Sequence, residues 1–211
     1  MEVVQVKTYE GIASAPGWVR ESGSARDAVE SFTLHHAAED SIWHKRVATV
    51  DENYKDVFAS IFDIEGTDCR KRHNKHSPNS YYHCSAAVDG FRGKFLQHTM
   101  VMPGNISQHL FSSYLTYDMT TTRDGRESCF VVTIPKAIFE SMSGIQKLFS
   151  VVPTTARKGE ESEFFSGEIK SIFTLEKLSE RSTLMTFCQN VVFDKRVPKD
   201  IVKKKIEVTM R

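Results

Sequence analysis

The chain lacks any apolar run near the roughly 18 residues that a membrane-spanning helix needs. Its start, Met1-Glu2-Val3-Val4-Gln5, also lacks the basic-then-apolar order of a secretory signal. Neither a spanning helix nor export is expected, so the chain reads as cytoplasmic. Cysteine is sparse: Cys69, Cys84, Cys129 and Cys188 are scattered without a Cys-x-x-Cys pair. That suits reduced, mostly buried thiols better than a disulfide framework. Charge of one sign is not in excess either, because 28 Lys and Arg stand against 27 Asp and Glu. A protein that grips nucleic acid through its phosphates carries a basic surplus, so no nucleic-acid partner is expected. Missing too are Gly-x-Ser-x-Gly, the P-loop, the dinucleotide fingerprint and His-Glu-x-x-His, and no cofactor or enzymatic chemistry is anticipated.

What is present is one domain's worth of ordinary globular sequence, 211 residues with 40% apolar side chains. Residues 1–30, punctuated by Gly11, Pro16, Gly17 and Gly23, hold no period and read as a partly ordered lead-in to a domain at 31–211. Phe32–His36 and Ile42–Val50 are rich in strand formers. Tyr54, Val57, Phe58, Ile61 and Phe62 then recur at helical spacing behind Asp51 as an N-cap, with Gly66 as the stop. Strand follows strand from Ser80 to Ile134, with turns at Asp89-Gly90, Pro103-Gly104 and Asp124-Gly125. Ile138, Met142, Ile145 and Phe149 predict a short helix over 136–149, after which Thr154–Ser162 is a polar loop. A long hairpin follows: Phe165–Leu175, a turn at Ser179–Ser182, and a return strand carrying Met185, Phe187, Val191 and Phe193. Pro198, Ile201, Val202, Ile206 and Met210 mark a closing amphipathic helix with Lys203, Lys204 and Lys205 on its other side. Strands without βαβ alternation, followed by a terminal helix, predict an α+β fold on an antiparallel sheet.

The last third carries a resemblance. Glu168-Ile169-Lys170 on a long strand, Ser182 to Asn190 on the return strand, and Val197-Pro198-Lys199-Asp200-Ile201-Val202 resemble the closing hairpin and helix of the START family of lipid-binding domains. START domains belong to the wider helix-grip group, in which a Thr-rich strand with a Gln near its end runs into a Pro-initiated helix that covers a cavity. The resemblance spans roughly residues 30–211 in order, with its specific residues at the end. The chain departs from the pattern in three places: it has no Trp after the first helix, no Arg-Asp-Phe-type start near Leu110, and an added helix at 136–149. The family implies a curved sheet with a long C-terminal helix over an internal apolar cavity, binding and possible transfer of a lipid or sterol, and no chemistry. On the lipid-binding hypothesis the last helix and residues 136–162 are expected to form a moving lid.

Strand parity then names a lining. Phe111, Leu115, Tyr117, Met119, Ile169, Phe173, Met185, Phe187 and Val191 share the parity of Ser113, Gly167, Ser171 and Gln189, and Ile201 begins the covering helix. For any one of these positions, a packed core is the plainer reading. Two alternatives stay open: a small cavity enzyme of cyclase or hydratase type using a His or Tyr such as Tyr117, and a packed interaction module of a larger protein. The run Cys69-Arg70-Lys71-Arg72-His73-Asn74-Lys75-His76 reads first as a solvated loop. Arg70, Lys71, Arg72 and Lys75 would repel a metal ion, so no metal is expected there, but they suit transient contact with an anionic membrane. Of His35, His36, His44, His98 and His109, in or beside strands, most read as ordinary hydrogen-bonded or exposed rings. A monomer, or one part of a larger protein, is expected.

Overall fold

Residues 11–21, 28–36, 41–63, 81–87, 92–101, 108–121, 125–143, 164–198 and 200–202 are described by the structure, a computed structural model. Three strands open it: β1 (Val19–Arg20), β2 (Val29–His36) and β3 (Ser41–Val50). Helix α1 (Tyr54–Phe62) follows, then β4 (Tyr81–Ala87), β5 (Gly93–Val101), β6 (Gln108–Thr121) and β7 (Glu127–Pro135). Helix α2 (Lys136–Ser143) precedes the long hairpin of β8 (Phe164–Ser179) and β9 (Ser182–Val192). All nine strands join one curved sheet in the order β1-β2-β3-β9-β8-β7-β6-β5-β4, with every neighbouring pair antiparallel.

One irregularity shapes the sheet. β7 stops at Pro135, opposite Ser113, because proline has no N–H for the ladder, and α2 begins at the next residue. Beyond that stop its two neighbours, β6 and β8, close on each other and pair directly in parallel, from Gln108 with Phe164 to Phe111 with Gly167. The strands therefore converge at this end. Gly125, at φ +82°, turns the β6–β7 hairpin in the conformation glycine tolerates best.

The sheet has two unlike faces. On the outer face Trp43, Tyr114, Val132, Ile134, Ile172 and Cys188 are almost wholly buried. Each large side chain so buried contributes about 1.5–3 kcal/mol. Two segments cover them. Phe139 of α2 stacks on Tyr114 at 4.2 Å, and Ile12, Ala13, Ala15 and Trp18 pack alongside. Lys45 Nζ donates to the Ala13 carbonyl at 3.3 Å and lies 4.5 Å from the Trp18 ring centre, fixing this segment to β3. On the inner face α1 packs Tyr54 and Val57 against Leu115, Cys129, Val131 and Leu175.

The structure corrects several expectations. Residues 11–20 belong to the fold, as a helical turn and a short strand that the irregular spacing of Ile12 and Trp18 concealed. The α1 N-cap is Asn53, not Asp51: the Asn53 side chain accepts the Lys55 N–H at 2.9 Å. The same helix ends at Phe62, before Gly66. Helix α2 lies on the outer face, so residues 136–143 do not form a lid over the inner one. A helical turn follows Pro198, whose carbonyl accepts the N–H groups of Ile201 and Val202. The rest of the expected long C-terminal helix, 203–211, lies outside the described residues, as do 144–162 and 64–80 with Arg70, Lys71, Arg72 and Lys75.

Candidate functional site

The inner face is built by register. Opposed residues in neighbouring strands point to one side of a sheet, and the pairings align three levels. Thr33, His44, Gln189, Ser171, Thr133 and Leu115 form one level across β2, β3, β9, β8, β7 and β6. Ser31, Arg46, Phe187, Phe173, Val131 and Tyr117 form the next. Ala48, Met185, Leu175, Cys129 and Met119 form the third. Ile169 opposite Val191, and Phe111 opposite Gly167, extend the face towards the converging end.

The strand residues named from sequence therefore all stand on this face. Their surroundings differ. Phe111 and Leu115 are buried, whereas Tyr117, Ile169, Phe173, Met185, Phe187, Gln189 and Val191 are half-buried. Met119 is 43% exposed and sits at the rim. Ile201 is half-buried on the turn after Pro198. At the centre Phe173 and Phe187 stack at 4.1 Å, and nearer α1 the rings of Phe58, Phe62 and Tyr117 meet at 4.9–5.4 Å.

Polar contacts seat α1 over this surface. Asn53 Nδ2 donates to the Glu180 carbonyl at 3.1 Å, and Thr183 Oγ1 donates to the Glu52 carbonyl at 2.7 Å. Tyr54 Oη donates to Glu127 at 3.2 Å, while Lys177 bridges Glu127 and Glu180 at 2.9 and 2.6 Å. These hydrogen bonds hold the Glu127 carboxyl below its usual range, with Lys177 the largest cause. The helix entrance is thus tied to the β8–β9 turn.

The first of the three levels brings polar groups into an otherwise apolar face. Ser171 and Thr133 are buried, and Gln189 and His44 are half-buried. Burial draws the His44 imidazole below its ordinary pKa, against the pull of Glu21, whose Oε1 is 3.9 Å from Nδ1. Burial likewise lowers Arg46, one level on. Two thiols are inert. Burial pushes Cys129 up to about 12 and Cys188 up to about 11, so both stay protonated and neither is a nucleophile at neutral pH.

One histidine of this face departs from the ordinary pattern expected of most. His109 is neither exposed nor hydrogen-bonded: its accessibility is 0%, and among the described residues neither ring nitrogen has a hydrogen-bond partner. It stacks near Phe165 at 5.5 Å and Phe111 at 6.2 Å, with Phe193 edge-on at 5.2 Å. Burial lowers its pKa, and Asp194 opposes that shift. The signal was available, since His109 precedes Phe111 by two positions and carries the same strand parity. Arg46 and Thr133 were missed because a polar residue in a strand gives no sign of which face it occupies until the register is known.

Comparison with known proteins places this geometry. No protein-family model and no curated protein sequence matches the chain. Solved structures do. Human StAR-related lipid transfer protein 5 superposes with a TM-score of 0.64 at 12% identity, over 98% of this chain and 87% of that one. Human STARD10 gives 0.60 at 10% identity, over 97% and 73%. A STAR-related lipid transfer protein from Xanthomonas axonopodis gives 0.53 at 12%, over 82% and 80%. At such identities the likeness is one of fold, and the fold is the START type of the helix-grip group.

Proposed function

We propose that the inner face binds a lipid or sterol, covered by the segment after Pro198, without chemistry on the ligand. The observation that carries this reading is the contrast between the faces. Trp43, Tyr114, Val132, Ile134, Ile172 and Cys188 of the outer face are sealed, with residues 12–18 and α2 packed on that face, whereas on the inner face Phe173, Phe187, Ile169 and Val191 remain half-buried beside the sealed Leu115, Val131 and Leu175. An apolar surface in this state gains about 25 cal/mol for each Å² it removes from water, so a long apolar ligand can bind there without a charged contact. The names of the human and Xanthomonas neighbours as lipid transfer proteins support the ligand class. Transfer between membranes is the finer form of the reading, and a working place in the cytoplasm goes with it. In that form the basic run Arg70, Lys71, Arg72 and Lys75 supplies the contact with anionic headgroups.

Phe187→Glu tests the site. The new carboxylate would sit across from Arg46, which gives it a partner and keeps the fold, while placing charge at the centre of the apolar face. Uptake of dehydroergosterol and fluorescent diacylglycerol from dioleoylphosphatidylcholine vesicles should fall at least tenfold, with the circular dichroism spectrum unchanged. Equal uptake by a folded variant would remove the inner face as the binding surface.

A further inference from the structure

The buried His109 ring is not explained by packing alone. Imidazole carries two polar nitrogens, and a buried polar group left unbonded forfeits its hydration without compensation, so native structures rarely do it without a reason. Phenylalanine would fill the same space among Phe111, Phe165 and Phe193 without that cost. The ring also stands on the inner face at the end where β6 and β8 converge, beyond Phe111 and Gly167. A ligand running along the inner face would meet it last.

The surroundings select the kind of group that could meet it. Phenylalanine rings surround it, and among the described residues the charges beside it, Asp194 and Arg196, are matched to each other. Arg196 donates from its backbone N and Nε to Asp194 Oδ1 at 2.9 Å each, and from Nη2 to Oδ2 at 3.1 Å. Among the described residues no further cation borders the ring to pair a phosphate or carboxylate, which would enter at a large desolvation cost. A neutral imidazole has one unprotonated nitrogen that accepts a hydrogen bond, and a hydroxyl can donate to it whereas a phosphodiester or an ionised carboxylate has no proton to give. Burial of the ring favours the neutral form this requires.

Building on the lipid-binding reading above, we infer that His109 is the polar anchor for a neutral lipid alcohol, its unprotonated ring nitrogen accepting a hydrogen bond from the lipid hydroxyl. The site then prefers lipids whose polar end is a lone hydroxyl over those ending in a phosphate headgroup.

The experiment compares two pairs of probes on the full chain: cholesterol with its methyl ether, and dioleoylglycerol with its methyl ether. Each is offered in dioleoylphosphatidylcholine vesicles, and protein-bound lipid is quantified by mass spectrometry. The ether keeps the acceptor and the shape but lacks the donor. In at least one pair the wild-type chain should hold the alcohol about tenfold better than the ether. His109→Phe should abolish that difference while leaving ether uptake unchanged. Equal retention of alcohol and ether by the wild type in both pairs overturns the inference and leaves the lipid reading standing; this arm requires no variant to fold. Persistence of the preference in His109→Phe overturns it as well. Failure of the wild type to take up any probe, phosphatidylcholine included, overturns the lipid reading and the anchor with it.

Discussion

At Gly167 one methyl group is decisive. A Cβ built there would overlap the Phe111 ring, with Cζ only 2.7 Å away, because β6 and β8 pair directly at this point. Gly167→Ala should therefore cost about 1–3 kcal/mol, as overpacking does. Urea unfolding of the single variant, and of a double variant that adds Phe111→Leu, measures it. The smaller side chain should recover most of the loss, whereas an unaffected single variant would show that the strands are not this close. From sequence, Gly167 was legible as an inward position but not as a necessity. The necessity arises from a parallel contact between two strands that are separated elsewhere by β7. His109 illustrates the same limit: its parity could be read, but the rings from β8 and from beyond β9 that enclose it could not.

For the secondary-structure elements, period was informative and placement was not. The helical spacing of Tyr54, Val57, Phe58, Ile61 and Phe62 located α1, and alternation located both strands of the final hairpin. A stripe shows that a helix buries one side but does not say against which face of a sheet. Helix α2 therefore proved to lie under Tyr114 on the outer side. The position of α1 depends on its cap. Asn53 both accepts the Lys55 N–H and donates to the Glu180 carbonyl, so Asn53→Ala removes a cap and a tether together. The variant should lose roughly 1–2 kcal/mol of stability in urea unfolding. Faster hydrogen exchange should appear along α1, with β2 and β3 unaltered. A variant as stable as the parent would mean that the contacts between Tyr54, Glu127 and Lys177 hold the helix unaided.

Across the whole molecule, the unlike faces of one sheet matter most. β9 joins β8 to β3, so the opening strands and the later meander share a continuous inner surface, and α1 packs over part of it. Among the described residues, no helix is long and apolar enough to cross a membrane. The START-type fold was legible from the chain's final third, where a hairpin and a proline-led helix follow each other at fixed spacing. The polar level through His44, Gln189, Ser171 and Thr133 was not, because it exists only once four strands are in register. Native mass spectrometry of the protein purified from eukaryotic cells, with lipid analysis of what dissociates from it, bears most directly on the ligand site. One apolar lipid per chain, lost in Phe187→Glu, is the predicted result; a chain that carries no lipid and takes none up when offered would contradict it.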